Sequence, residues 1–108
     1  MNKAIPHEDD RRILFDWANG NFKSAKAVIV KKEIAVGDHY HNKKDEEFLL
    51  LQGKFLELIV GNITSMNISA PYYVFIPAGT YHKFTCSEGS ILLGVATELF
   101  DINDEIKC

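Results

Sequence analysis

Two short stretches of the chain carry the side chains of a metal site. The first is His39-Tyr40-His41, followed after four residues by Glu46 and after six more by Gly53. In a strand, residues i and i+2 project from one face, so His39 and His41 set two imidazoles side by side. A loop then turns the chain back, and Glu46 at the start of the next strand adds a carboxylate oxygen to the same point. The second stretch is Pro77-Ala78-Gly79-Thr80-Tyr81-His82, a Pro/Gly turn feeding a strand whose first inward residue is a third imidazole. Three neutral imidazoles and one carboxylate suit a divalent transition metal, whether zinc, iron, manganese, nickel or cobalt. A six-coordinate ion held by four such donors keeps two positions for substrate or water, which is a catalytic arrangement rather than a closed structural one.

Each pattern is weak alone. An isolated H-x-H reads as two solvent-facing imidazoles, an isolated P-x-G reads as a turn, and His7 in the polar N-terminal stretch reads as exposed. From this chain's residue frequencies, the chance of both patterns in this order is on the order of 10⁻⁶ to 10⁻⁵, so they are taken as one site. Acid–base chemistry around it could draw on Tyr73 and Tyr81 as catalytic groups, with Lys43, Lys44 and Glu98 as further candidates. Singly, these tyrosines read as aromatic packing and the charged residues as solvated charge. No separate cofactor-binding motif accompanies them.

The elements that must position these residues are strands. Short β-branched and aromatic runs at 12–17, 25–36, 39–41, 47–51, 54–60, 63–68, 72–76, 82–85 and 91–96 predict an all-β chain almost without helix signals. Turn chemistry separates them at Asn19-Gly20-Asn21, Gly37-Asp38, Gln52-Gly53, Gly61-Asn62, Pro77-Ala78-Gly79 and 87–90. Close spacing and tight turns predict an antiparallel barrel or sandwich. Consecutive apolar residues, as in Phe48-Leu49-Leu50-Leu51 and Ile91-Leu92-Leu93, call for cover on both faces, and a homodimer would supply it.

Composition narrows the function. The chain has 108 residues, 46% hydrophobic and 25% charged, which fits one domain of soluble type. A net charge of −3 lacks the basic excess that a nucleic-acid backbone would demand. The apolar runs are too short to cross a bilayer and the N-terminal segment has no signal-peptide pattern, so the expected partners exclude membranes and the expected location is the cytoplasm. Two cysteines, Cys86 and Cys108, do not make a disulfide framework.

The sequence resembles the cupins. His39, His41, Glu46 and Gly53 match the first cupin signature, and Pro77, Gly79 and His82 match the second, over about residues 36–97. The resemblance implies a double-stranded β-helix, the cupin jelly-roll barrel, with the metal held by His39, His41, Glu46 and His82 inside its mouth. It implies one cupin domain over 1–108, with the barrel at about 25–97, an N-terminal strand extension at 1–24 and a C-terminal tail at 98–108. Two positions depart from the signatures, Glu33 where a glycine is usual and Cys86 where an asparagine is usual; neither is a ligand. A narrower resemblance links residues 37–54, 76–84 and 95–106 to cupin domains of capsular polysaccharide epimerases and to sugar 3,4-ketoisomerases. The latter close with an aromatic-Asp-x-x-Asp segment, here Phe100-Asp101-Ile102-Asn103-Asp104. Those ketoisomerases usually carry Gln at the position of Glu46 and work without a metal, so Glu46 tilts this chain toward the metal-bearing type. In these relatives a long N-terminal strand, here 25–36, pairs with a neighbouring subunit.

The resulting expectation is an isomerase or epimerase of a nucleotide-linked keto-deoxy sugar in polysaccharide biosynthesis. Its competitors are a small metal-dependent dioxygenase and a non-catalytic module that binds a sugar or another small ligand.

Overall fold

The computed structural model describes residues 5–18, 20–99 and 101–107; Asn19, Phe100 and Cys108 of the sequence patterns above lie outside them. The described chain is built from antiparallel strands and one short 3-10 turn. A hairpin of β1 (Ile5–Glu8) and β2 (Ile13–Asp16) stands as a two-stranded sheet. Its turn is held by Asp9, whose Oδ1 accepts the backbone N–H of Arg11 and of Arg12.

The barrel is two facing sheets. One has the order β3-β10-β5-β8, from β3 (Ser24–Ile29), β10 (Ile91–Ala96), β5 (Glu46–Gln52) and β8 (Tyr72–Ile76). The other has the order β11-β4-β9-β6-β7, from β11 (Glu105–Lys107), β4 (Ile34–His41), β9 (His82–Cys86), β6 (Lys54–Val60) and β7 (Ile63–Ser69). Inward residues of both sheets form one core: Phe48, Leu50, Phe55, Leu58, Val74, Ile76, Phe84, Cys86 and Leu92, with Val30. Alternation on each strand produces it, since β9 reads buried, intermediate, buried, intermediate, buried from His82 to Cys86. The β5–β6 turn depends on Gly53, at φ +94, where a Cβ would lie 2.7 Å from Ser90 Cα.

Three sequence expectations change. The run 25–36 is two strands, because Lys31, Lys32 and Glu33 form an exposed charged bend between β3 and β4. The first of these, β3, pairs with β10 of its own chain. Conversely, Gly37-Asp38 is no turn. It is a bulge inside β4: Gly37 lies opposite Lys83, but His39 lies opposite His82, so one extra residue is absorbed between them. Gly37 takes φ +96 to do so. The tail also carries order, as β11 pairs with β4 and sets Ile106 opposite Tyr40. No helix among the described residues is long and apolar enough to cross a membrane.

Candidate metal centre

The bulge decides which side chains enter the barrel. Val36 packs against the core, so an unbroken alternation would turn positions 38 and 40 inward. The extra residue shifts the parity and brings His39 and His41 to the inner face instead. His82 comes from the start of β9 in the same sheet, and Glu46 from the start of β5 in the facing sheet. One potential ligand atom from each of these four residues lies within 4.8 Å of all the others. Ring centroids of His39 stand 4.5 Å from His41 and 4.7 Å from His82. Glu46 Oε1 is 3.2 Å from His41 Nε2 and 3.4 Å from His82 Nε2. Glu46, His82 and His41 are 1%, 2% and 4% exposed, and His39 is half-buried.

The chemistry of the donors fits a divalent metal. His82 Nδ1 lies 3.2 Å from the Thr80 carbonyl, which takes the ring proton there and leaves the Nε2 lone pair directed at Glu46 and the other imidazoles. Burial pulls the His82 pKa below its ordinary value and outweighs the opposing effects of the Thr80 carbonyl and Glu46, so the ring is held neutral, as a ligand must be. Both Glu46 oxygens are buried and accept no hydrogen bond among the described residues. A buried carboxylate left in that state is costly unless a cation completes it. Lys26 contributes part, with Nζ 3.7 Å from Oε2, while Oε1 faces the imidazoles.

Two acidic residues outside the donor cluster hold the loops. Asp104 accepts the backbone N–H of Asn42 at Oδ1 and of Lys43 at Oδ2, pinning the turn between His41 and Glu46. Asp45 Oδ1 accepts the N–H of Ala78, and the Asp45 N–H donates to Thr97 Oγ1. The His41 carbonyl accepts the N–H of Gly79. The Pro/Gly turn before His82 is thereby tied to the histidine strand.

Tyr73 does not join the cluster: it alternates with Val74, which faces the core, and its hydroxyl donates to Glu47, itself on the opposite face from Glu46. Burial, then the Glu47 carboxylate, pushes the Tyr73 hydroxyl far above its ordinary pKa. The Tyr73 hydroxyl therefore lies on the face of its sheet away from the four donors. Tyr81 is half-buried and its carbonyl accepts the Gly61 N–H. Glu98 pairs with Lys23 at 3.3 Å, and His7 is exposed. Sequence reasoning missed Lys26. The signal was present, because Lys26 shares its face of β3 with Val28, which packs against the core.

No family model and no curated protein matches this sequence. Solved structures do match its fold. A 3,4-ketoisomerase from Helicobacter canadensis superposes with a TM-score of 0.83 at 19% identity, covering 98% of this chain and 87% of that one. A histidine-to-asparagine mutant of the 3,4-ketoisomerase QdtA from Thermoanaerobacterium thermosaccharolyticum, in complex with TDP-4-keto-6-deoxyglucose, gives 0.81 at 20% identity, with 99% and 85% covered. The capsular polysaccharide assembling protein CapF from Staphylococcus aureus gives 0.68 at 23% identity over 96% of this chain and 31% of that one. The fold is therefore the all-β jelly roll that the cupin resemblance implied, shared along nearly the whole described chain with sugar ketoisomerases.

Proposed function

We propose that the protein is a divalent-metal isomerase or epimerase acting on a nucleotide-linked keto-deoxy sugar. The observation that carries this reading is the convergence of His39, His41, Glu46 and His82 within 4.8 Å, at one end of a barrel whose fold is that of the sugar 3,4-ketoisomerases. The reaction removes a proton from the hydroxyl-bearing carbon beside a ketone. Its return to the former carbonyl carbon, with the hydroxyl proton passing to the former carbonyl oxygen, moves the ketone; its return to the same carbon from the other face inverts that carbon. A bound divalent metal supplies a Lewis acid for the negative charge that develops on oxygen between those steps. The protein's own part is to hold the donors and exclude water. His39 and His41 are fixed by the bulge and by β11, His82 by Thr80, and Glu46 by the pinned loop before it. Phe48 and Phe84, with ring centroids 5.0 Å apart, close the site from below.

A keto-deoxy sugar linked to TDP or UDP is the proposed substrate class, and polysaccharide biosynthesis its setting. The edge strand β3, with Ile29 70% exposed, supports the expected homodimer.

The test is anaerobic incubation of metal-loaded protein in heavy water with TDP-4-keto-6-deoxyglucose and a panel of related TDP- and UDP-linked keto sugars, followed by proton NMR. Deuterium should enter at the carbon beside the ketone in at least one of them. Oxygen consumption with a phenol or diketone and no deuterium entry would establish the dioxygenase instead. Ligand binding with neither reaction would leave a binding module.

A further inference from the structure

Lys26, Gly94 and Phe48 stand in one row across the barrel wall, since Gly94 of β10 lies opposite Lys26 on β3 and opposite Phe48 on β5. Phe48 is a core residue, so the row faces inward. Glycine in the middle of a strand weakens it and marks a place where other groups approach closely. A Cβ at Gly94 would lie 2.7 Å from Phe48 Cε1 and 3.5 Å from Lys26 Cε. The Lys26 stem uses that space, and its Nζ ends 5.6 Å from the centroid of the Phe48 ring. From there the ammonium reaches Glu46, 3.7 Å from Oε2. The other carboxylate oxygen, Oε1, lies 3.2 Å from His41 Nε2 and 3.4 Å from His82 Nε2. One buried carboxylate is thus divided, with one oxygen toward the imidazoles and the other toward a lysine of a different strand.

We propose that Lys26 is a positioning residue for the metal centre: by holding Oε2 it limits Glu46 to a single bond to the ion, through Oε1. The inference rests on the metal-centre reading above and specifies how that centre keeps room for substrate. Carboxylates bind divalent ions through one oxygen or through both. Three imidazoles and a single carboxylate oxygen leave two positions on a six-coordinate ion, and a hydroxyketone needs both for its two oxygens. Chelation by Glu46 through both oxygens would take one of them. Lys26 opposes that, because turning Oε2 toward the ion gives up the ion pair and leaves an ammonium beside a divalent cation. Lys26 therefore weakens the hold on the ion while keeping its substrate face open. That sign separates it from a residue that only supports a ligand, whose loss weakens metal binding.

The experiment is calorimetric titration of the untagged, metal-stripped protein with manganese(II) and with zinc(II), together with water-proton relaxation of the manganese-loaded form. Lys26→Met should tighten both ions about tenfold, the effect of removing one positive charge close to a divalent ion. The relaxation due to manganese-bound water should fall by about half, from two water positions to one. Lys26→Arg, which keeps the charge, should leave the water signal intact and the affinity within about threefold of wild type. The Lys26 side chain is 53% exposed, so its replacement opens no core cavity. Lys26→Gln repeats the measurement with a neutral polar end if the methionine variant fails a thermal-unfolding control. Unchanged or weaker metal affinity in the neutral variants, or an undiminished water signal, overturns the role of Lys26 and leaves the metal centre standing. If zinc alone binds, the direction of the affinity change decides. Wild-type protein that takes up neither ion removes the metal centre and this inference with it.

Discussion

The two ends of the barrel are built on the same strands and do opposite things. On β9 the inward residues run His82, Phe84, Cys86, and on β5 they run Glu46, Phe48, Leu50. At one end the inward positions are potential metal donors, His82 held through its Nδ1 by the Thr80 carbonyl and Glu46 with no hydrogen bond to either oxygen among the described residues. Two residues further along they are aromatic and aliphatic groups with nothing polar to satisfy. Phe84 contacts Phe48, Phe55 and His82 at centroid separations of 5.0, 5.2 and 5.6 Å, so the apolar end is also the floor of the polar one. Burial acts on both ends with opposite chemical results. It keeps the His82 ring neutral and ready to bind, and it pushes the Cys86 thiol up to about 11, which silences it. The apolar end supplies the stability that lets the polar end keep its donors ready.

Substitutions at the two ends should separate stability from metal binding. Phe84→Ala removes a side chain 1% exposed at the centre of the core. It should cost about 3–5 kcal/mol in urea unfolding, the range for a buried aromatic truncated to alanine. Glu46→Gln conserves shape and removes only the charge. Calorimetric metal affinity should fall at least about a hundredfold, while the metal-free protein unfolds within about 1 kcal/mol of wild type. Equal effects of these two changes on stability would erase the distinction between the ends.

Smaller effects probe how the polar end is held. Gly37→Ala places a Cβ at φ +96 and 3.2 Å from His82 Cδ2. It should destabilise by about 1–3 kcal/mol and also weaken metal, since the bulge turns His39 and His41 inward. Metal affinity at the wild-type level would mean the bulge is not what orients them. Asp104→Ala leaves the Asn42 and Lys43 N–H groups without their acceptors, so metal affinity should drop about tenfold, as expected for a residue that supports ligands without touching the metal. A thermal shift with intact metal affinity would reduce Asp104 to a fold residue.

Much of this site was readable from spacing because its tokens are local. H-x-H on a strand puts both imidazoles on one face by period-2 alternation alone, and the glutamate after a short loop and the histidine after a Pro/Gly turn mark strand starts; which face is the inner one depends on the bulge. An antiparallel barrel or sandwich followed from short strands between turn residues, and the jelly roll from the cupin resemblance. What escaped were features that depend on partners distant in sequence. Gly37-Asp38 carries turn chemistry, and only its pairing with β9 shows that it bulges within one strand. Asp104 sits in a segment noticed for its resemblance, yet its task, holding the loop at 42–43, crosses sixty residues of chain. Tyr73 looked suitable by chemistry, and the sheet put it on the wrong face. Lys26 was recoverable from its alternation with Val28, but the charged bend at 31–33 was read as part of one long strand, which hid the inward face of β3.

The most direct test of the account is the metal content of the untagged protein, measured by inductively coupled plasma mass spectrometry beside Glu46→Gln and His82→Ala. Near-stoichiometric divalent transition metal in the wild type, lost from both variants, is the predicted result. Metal-free wild-type protein that resists reconstitution, or variants that retain the ion, would contradict it.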